Sequence, residues 1–149
     1  MTTIVCNRDM MACDLQFTHS NGSKFKGETK CMVFGDEIAK PRFNVSRCII
    51  GGAGSASEVG DTWNWLVLGE GRPPRIRQTE FLMLTSKHQI FFSHNLINWT
   101  LIKEPYYAIG SGAPYALGSM SIKSDPVKAI KTATKHDPLT GLGYKKFEV

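Results

Sequence analysis

Apolar and polar residues alternate in short runs along most of the chain, the period of strands rather than helices. Residues 2–7 (TTIVCN) and 10–17 (MMACDLQF), separated by the charged Arg8 and Asp9, read as an antiparallel hairpin. Residues 30–34 (KCMVF) and 44–50 (NVSRCII) repeat the pattern, and the proline-containing segment 35–42 (GDEIAKPR) between them reads as a loop or widened hairpin. The period then changes. Residues 55–69 open with serines and a glutamate in cap position and carry Val59, Trp63, Leu66 and Val67 at helical spacing, up to Gly69, Gly71 and a double proline.

Strand-type runs resume at 78–86, 88–94 and 98–102, and 106–112 (YYAIGSG) ends a strand in a glycine-rich turn. Two short helices are expected over 113–122 and 125–136, each with proline near its start, and 143–149 closes as a last strand. Strands in blocks with helices in the middle and near the end predict a layered α+β fold, helices covering stacked antiparallel sheets. At 149 residues the chain suits one domain, 1–149.

Composition narrows the function classes. Apolar residues are 42% and charged residues 21%, ordinary for a globular domain. No apolar run approaches the roughly 20 residues of a membrane span, so no membrane partner is expected. Arg8 and Asp9 leave no room for a secretory h-region, which predicts a cytoplasmic location and deprives the Asn21, Asn44 and Asn98 sequons of glycosylation meaning. The net charge of +5 is scattered, without a basic run interleaved with aromatics, and nucleic acid is not the expected partner. Cys6, Cys13, Cys31 and Cys48 lie on apolar stretches without zinc spacing, so buried free thiols are expected, with no metal and no cofactor. His19, His88, His94 and His136 are dispersed, and the tryptophans and Phe91–Phe92 read as core or subunit-contact residues.

The candidate chemistry begins at Thr2. Removal of Met1 exposes its hydroxyl beside a free α-amine of reference pKa about 7.7–8.0, a nucleophile and a base on one residue. By itself Thr2 is equally a β-prone strand start. The start "MTTIVC" resembles the mature amino terminus of the proteasome β subunit and HslV peptidase family, the N-terminal threonine hydrolases, and further resemblances follow in chain order. "ACDLQFT" resembles the family's "GDGQ.T", which implies Asp14 as catalytic aspartate and Thr18 as the threonine whose backbone lines the substrate channel. "KFKGETKCMVF" resembles the segment of the catalytic lysine, implying Lys30, with Lys26 in reserve. "GGAGSASE" resembles "AG.AAD": Gly54 then supplies the oxyanion N–H, Ala56 pairs with an extended substrate, and Gly52 stands where a side chain shapes the first specificity pocket, implying a roomy, weakly selective pocket. "AIGSGAPYA" resembles "AIGSGGPYA" and implies Ser111 near the threonine amine. "KHDPLTG" resembles "RD..SG" and implies Asp137 and Thr140 packed around the nucleophile.

The resemblance implies a four-layer αββα sandwich, the Ntn-hydrolase fold, with reduced helical layers. The first hairpin is shorter than the family's and the second outer helix is absent, so a minimal member is expected. It also implies hydrolysis of peptides or unfolded proteins within a homo-oligomeric ring, served by an AAA+ unfoldase. Two other classes stay open: an Ntn amidase acting on a small molecule, and a catalytically silent ring or assembly protein.

Overall fold

A computed structural model of the chain describes residues 2–28 and 30–149. Strands β1 (Thr3–Asn7), β2 (Met10–Asp14), β10 (Tyr106–Gly110) and β11 (Tyr144–Glu148) form one antiparallel sheet, ordered β10-β1-β2-β11. A second runs β5-β6-β7-β8-β9, from β5 (Cys31–Phe34), β6 (Cys48–Ala53), β7 (Glu80–Thr85), β8 (Ile90–Ser93) and β9 (Thr100–Ile102). Strands β3 (Gln16–Thr18) and β4 (Lys24–Lys26) pair as a separate hairpin, of which all three β4 residues are exposed.

Alternation along each strand dictates the stacking. Ile4 and Cys6 of β1, with Met11 and Cys13 of β2, face the second sheet and meet Ile49, Leu82, Leu84 and Ile90. Their neighbours Val5 and Ala12 point the other way, onto Ala116 and Met120 of α3 (Ala113–Ile122) and Ala129 and Ile130 of α4 (Pro126–His136). On the second sheet Ile50, Phe81 and Met83 face outward, under Ala39 of α1 (Asp36–Phe43) and Leu66 of α2 (Ala56–Leu68). The product is a four-layer αββα sandwich. Each fully buried Leu, Ile or Phe contributes about 1.5–3 kcal/mol, so the three clusters hold the sheets while β4, on the outer side of its hairpin, stays solvated. The helical cover is thin: α2 has 13 residues, and 69–79 follow it without a helix.

Two elements differ from the sequence expectation. Segment 35–42 is not a loop; it is α1, with Asp36 and Glu37 in its first turn, Lys40 and Arg42 in its last, and Asn44 closing it at φ 55°. Pro41 is tolerated because an eight-residue helix makes few internal bonds, and the Pro41 ring removes just one donor. The run 10–17 is also not one strand. Leu15 turns its N–H to the Gly141 and Gly143 carbonyls (3.3 and 3.2 Å), which ends β2 at Asp14 and starts β3 in a new direction.

All four cysteines are buried free thiols. Burial pushes Cys48 up to about 12 and raises Cys6 and Cys31 well above the ordinary thiol range, so these groups pack rather than react. Among the described residues no helix is long and apolar enough to cross a membrane.

Candidate active site

Thr2 sits where β1 meets the end of β10. Its carbonyl accepts the Ser111 N–H at 2.9 Å, the residue is buried, and its hydroxyl has no hydrogen-bond partner among the described residues. The chain passes this point only because residue 110 is glycine. Gly110 has φ +95°, and a Cβ there would lie 1.7 Å from the Thr2 carbonyl oxygen. Gly110→Ala is expected to cost roughly 3 kcal/mol or more, read as a lower denaturant midpoint; an unchanged midpoint would mean that Thr2 is held by other contacts.

Behind Thr2 lies a buried ion pair. Lys30, just before β5, donates from Nζ to Asp14 Oδ1 at 3.0 Å and to the Gln16 carbonyl at 2.5 Å. Asp14, wholly buried at the end of β2, also accepts the Thr3 N–H on Oδ1 (3.0 Å) and the Gly141 and Gln16 N–H groups on Oδ2 (3.1 and 3.3 Å). Burial lowers the Lys30 ammonium from its ordinary range, and Asp14 offsets part of that. Lys26, by contrast, lies on exposed β4.

A second polar cluster adjoins the first. Asp137 caps the end of α4, and its Oδ2 accepts the hydroxyls of Ser111 (2.6 Å) and Thr140 (2.5 Å) while Oδ1 accepts the Leu139 N–H (3.1 Å). The Thr140 hydroxyl proton is used on Asp137, so its 2.6 Å contact with Thr3 Oγ1 has Thr3 as donor. Burial alone would raise the Asp137 carboxyl, but these donors outweigh it and hold the group below its ordinary value. A lowered carboxylate stabilises the fold fully above the unfolded value of about 3.9 and loses that contribution as pH falls through the folded value. Asp137→Asn is therefore expected to cost roughly 1–2 kcal/mol at pH 7, a gap that narrows in denaturant titrations as pH falls below the unfolded value of about 3.9. A gap that stays constant as the pH falls into the acid range would mean that the charge is not what matters.

The ion pair opens, through Lys30, on a cavity of about 420 Å³, lined by Thr2, Thr18, Lys30, Gly52, Gly54 and Ala56 among others. Gly54 follows β6 at φ +147°, with its N–H unpaired among the described residues. The room expected at Gly52 is partly taken: a Cβ there would lie 2.7 Å from Val59 Cγ2 and 3.0 Å from Phe81. The sequence residues thus fall into three groups: Thr2, Lys30, Gly54, Gly52, Ala56 and Thr18 on the cavity wall, Asp14 behind Lys30, and Ser111, Asp137 and Thr140 behind Thr2 and Thr3.

Three contributors had no role assigned from sequence. Thr3 links the clusters, giving its N–H to Asp14 and its hydroxyl to Thr140. Gln16 does so too, through Nε2 to the Pro138 carbonyl at 2.9 Å and to Thr18 Oγ1 at 3.2 Å; its signal was the glutamine in "ACDLQFT". Gly112 must lack a side chain, since a Cβ would lie 2.1 Å from Thr3 Oγ1.

Two stacked antiparallel sheets between two helical layers are the architecture of the Ntn-hydrolase fold. Solved structures of that architecture match the chain over nearly its whole length. They include BPH from Thiobacillus denitrificans in complex with epoxomicin (19% identity, TM-score 0.68, 99% of this chain and 97% of that one). HslV from Trypanosoma brucei aligns at 18% identity and TM-score 0.69 over 98% of both chains. Anbu from Hyphomicrobium sp. strain MC1, as a Gly-1 mutant, aligns at 9% identity and TM-score 0.74 over 100% of this chain and 82% of that one. No protein-family model and no curated protein sequence matches. Near-complete coverage of the first two gives no support to the expectation of a shortened member.

Proposed function

We propose that the chain is a threonine-type peptidase of the proteasome β and HslV kind, with Thr2 as nucleophile once Met1 is removed. The observation that carries this reading is the placement of Thr2, Lys30 and Gly54 on one cavity wall, with Asp14 bonded to Lys30 from behind. Thr2 Oγ1 attacks the scissile carbonyl carbon, and its proton passes to the Thr2 amine, directly or through one water. The Gly54 N–H stabilises the oxyanion of the tetrahedral intermediate. The amine returns the proton to the leaving nitrogen as the C–N bond breaks, leaving an ester on Thr2. Water, deprotonated by the same amine, hydrolyses the ester. Lys30 lowers the amine pKa by its charge, and Asp14 keeps that charge in place. Ser111, Asp137 and Thr140 fix the backbone around Thr2 and Thr3. The chemistry needs no cofactor.

Thr18 and Ala56 flank the cavity as the edges along which an extended peptide would pair. A homo-oligomeric ring in the cytoplasm, fed by an unfoldase, belongs to the same proposal; the exposed Val67 and Leu68 at the end of α2 support a subunit contact.

The cavity charge sharpens the substrate. Its charged lining residues are Lys30, committed to Asp14, and Glu28, which has no hydrogen-bonded or ionic partner among the described residues. Trp63 and Val59 beside it offer an apolar wall for an alkyl stem. Fluorogenic peptides ending in arginine or lysine before the cleaved bond are expected to be hydrolysed about tenfold faster than those ending in glutamate, and Glu28→Gln should erase the difference. Equal rates on basic and acidic peptides would contradict the role of Glu28, and no hydrolysis of any peptide would contradict the peptidase reading.

A further inference from the structure

Ser55 and Glu58 stand at capping-box spacing at the start of α2, yet only half of that box forms. Ser55 Oγ accepts the Glu58 N–H at 3.4 Å. The Glu58 carboxylate turns away from the helix instead. It accepts the Arg77 N–H (3.0 Å to each oxygen), the Gln78 N–H (2.8 and 3.3 Å) and the Thr79 hydroxyl (3.4 Å). The Ser55 N–H, which a complete box would give to Glu58, goes to Thr79 Oγ1 at 3.1 Å. Among the described residues, the hydrogen bonds of 72–79 run to Glu58 and Ser55 alone.

Gly54 lies directly against this segment. A Cβ on it would stand 2.3 Å from the Gln78 carbonyl oxygen and 2.7 Å from Thr79 Cα, so the two backbones fix each other's position. With no helix over 69–79, the polar anchor of the segment that buttresses Gly54 is the Glu58 carboxylate, beside the packing of Ile76 on the core and the β7 pairing of Glu80 with Ala53. Gln78 also lines the Thr2 cavity, so its displacement would move both the wall and the Gly54 peptide.

We propose that Glu58 is a positioning residue for the oxyanion site: by tying Arg77–Thr79 to α2 it fixes Ser55 through Thr79 and holds the Gly54 N–H toward the cavity. This rests on the threonine-hydrolase reading, in which that N–H meets the oxyanion. A shift of about 1 Å in a catalytic donor costs on the order of 10²-fold in rate, and its complete loss 10²–10³-fold.

The test compares wild type, Glu58→Ala and Glu58→Gln, with Met1 removed, in peptide hydrolysis and in binding a peptide aldehyde and the same peptide as its amide. The aldehyde forms a hemiacetal whose oxygen needs the Gly54 N–H; the amide does not. Glu58→Ala is expected to lower kcat by on the order of 10²-fold with KM little changed, and to weaken the aldehyde by a similar factor while sparing the amide. Glu58→Gln keeps a carbonyl oxygen able to accept the Arg77 and Gln78 N–H groups, and should recover most of the loss. A Glu58→Ala protein with wild-type kcat and aldehyde affinity overturns the proposal. So does equal weakening of aldehyde and amide, or a glutamine variant no better than alanine. A wild type that binds no aldehyde and cleaves no peptide would instead sink the hydrolase reading, and the role of Glu58 with it.

Discussion

Thr2→Ala is expected to abolish peptide hydrolysis, by at least about 10³-fold, and to leave the fold intact. The loss is large because no other group on the cavity wall offers a hydroxyl beside an α-amine. Thr18 and Ser55 also line the cavity, but each is an interior residue whose nitrogen is an amide and cannot act as a base. Stability should barely change, since the Thr2 hydroxyl makes no hydrogen bond among the described residues and the backbone contact to Ser111 survives the substitution. Thr2→Ser keeps both functional groups and should retain activity within roughly tenfold. Equal peptide hydrolysis by wild type and Thr2→Ala would remove the nucleophile from the account.

The second large effect concerns the buried pair, where the geometry predicts an asymmetry. Asp14→Leu leaves the Lys30 ammonium buried without its counter-charge and strips the acceptor from the Thr3, Gln16 and Gly141 N–H groups. Lys30→Met leaves the Asp14 carboxylate with those three donors still in place. Breaking a buried ion pair from one side costs about 3–5 kcal/mol. Asp14→Leu should fall at the upper end and Lys30→Met nearer 2–3 kcal/mol, because a carboxylate with three N–H donors stays partly compensated. At about 2–4 °C per kcal/mol for a chain of this size, Asp14→Leu should lower Tm by roughly 10–20 °C and Lys30→Met by about half as much. Both should lose activity: Lys30→Met removes the charge acting on the Thr2 amine, and Asp14→Leu removes the carboxylate that holds that charge in place. A thermal melt in which Lys30→Met is the less stable of the two would contradict this assignment of donors.

The sheets and most helices were legible because alternation and caps are local properties. Ile4 and Val5 already point to opposite layers by strand period alone, and Asp125 with Pro126 marks the start of α4 as the pattern predicts. Helix α1 was not legible because Pro41 outweighed the acidic first turn, Asp36 and Glu37, that argued for a helix. The break at Leu15 is set by carbonyls more than 120 residues further on, which no local window contains.

The site divides along the same line. Thr2, Asp14, Lys30, Gly54, Ser111, Asp137 and Thr140 could be picked out because they sit in short motifs resembling a known family. The residues joining those motifs could not. Thr3 looks like any β-prone residue until its hydroxyl is seen against Thr140. Glu58 looks like half of a capping box, because the partner that diverts it, segment 77–79, is about twenty residues away.

The most direct test of the central claim is intact and peptide mass spectrometry after incubation with a peptide epoxyketone. That reagent needs both groups proposed for Thr2: the hydroxyl adds to the ketone, and the α-amine of the same residue opens the epoxide to close a ring. The account predicts a chain lacking Met1 that gains one inhibitor mass, located on the peptide beginning at Thr2 and absent from Thr2→Ala. A chain that retains Met1 when isolated from its own host, or one that loses Met1 and forms no adduct on Thr2, would contradict it.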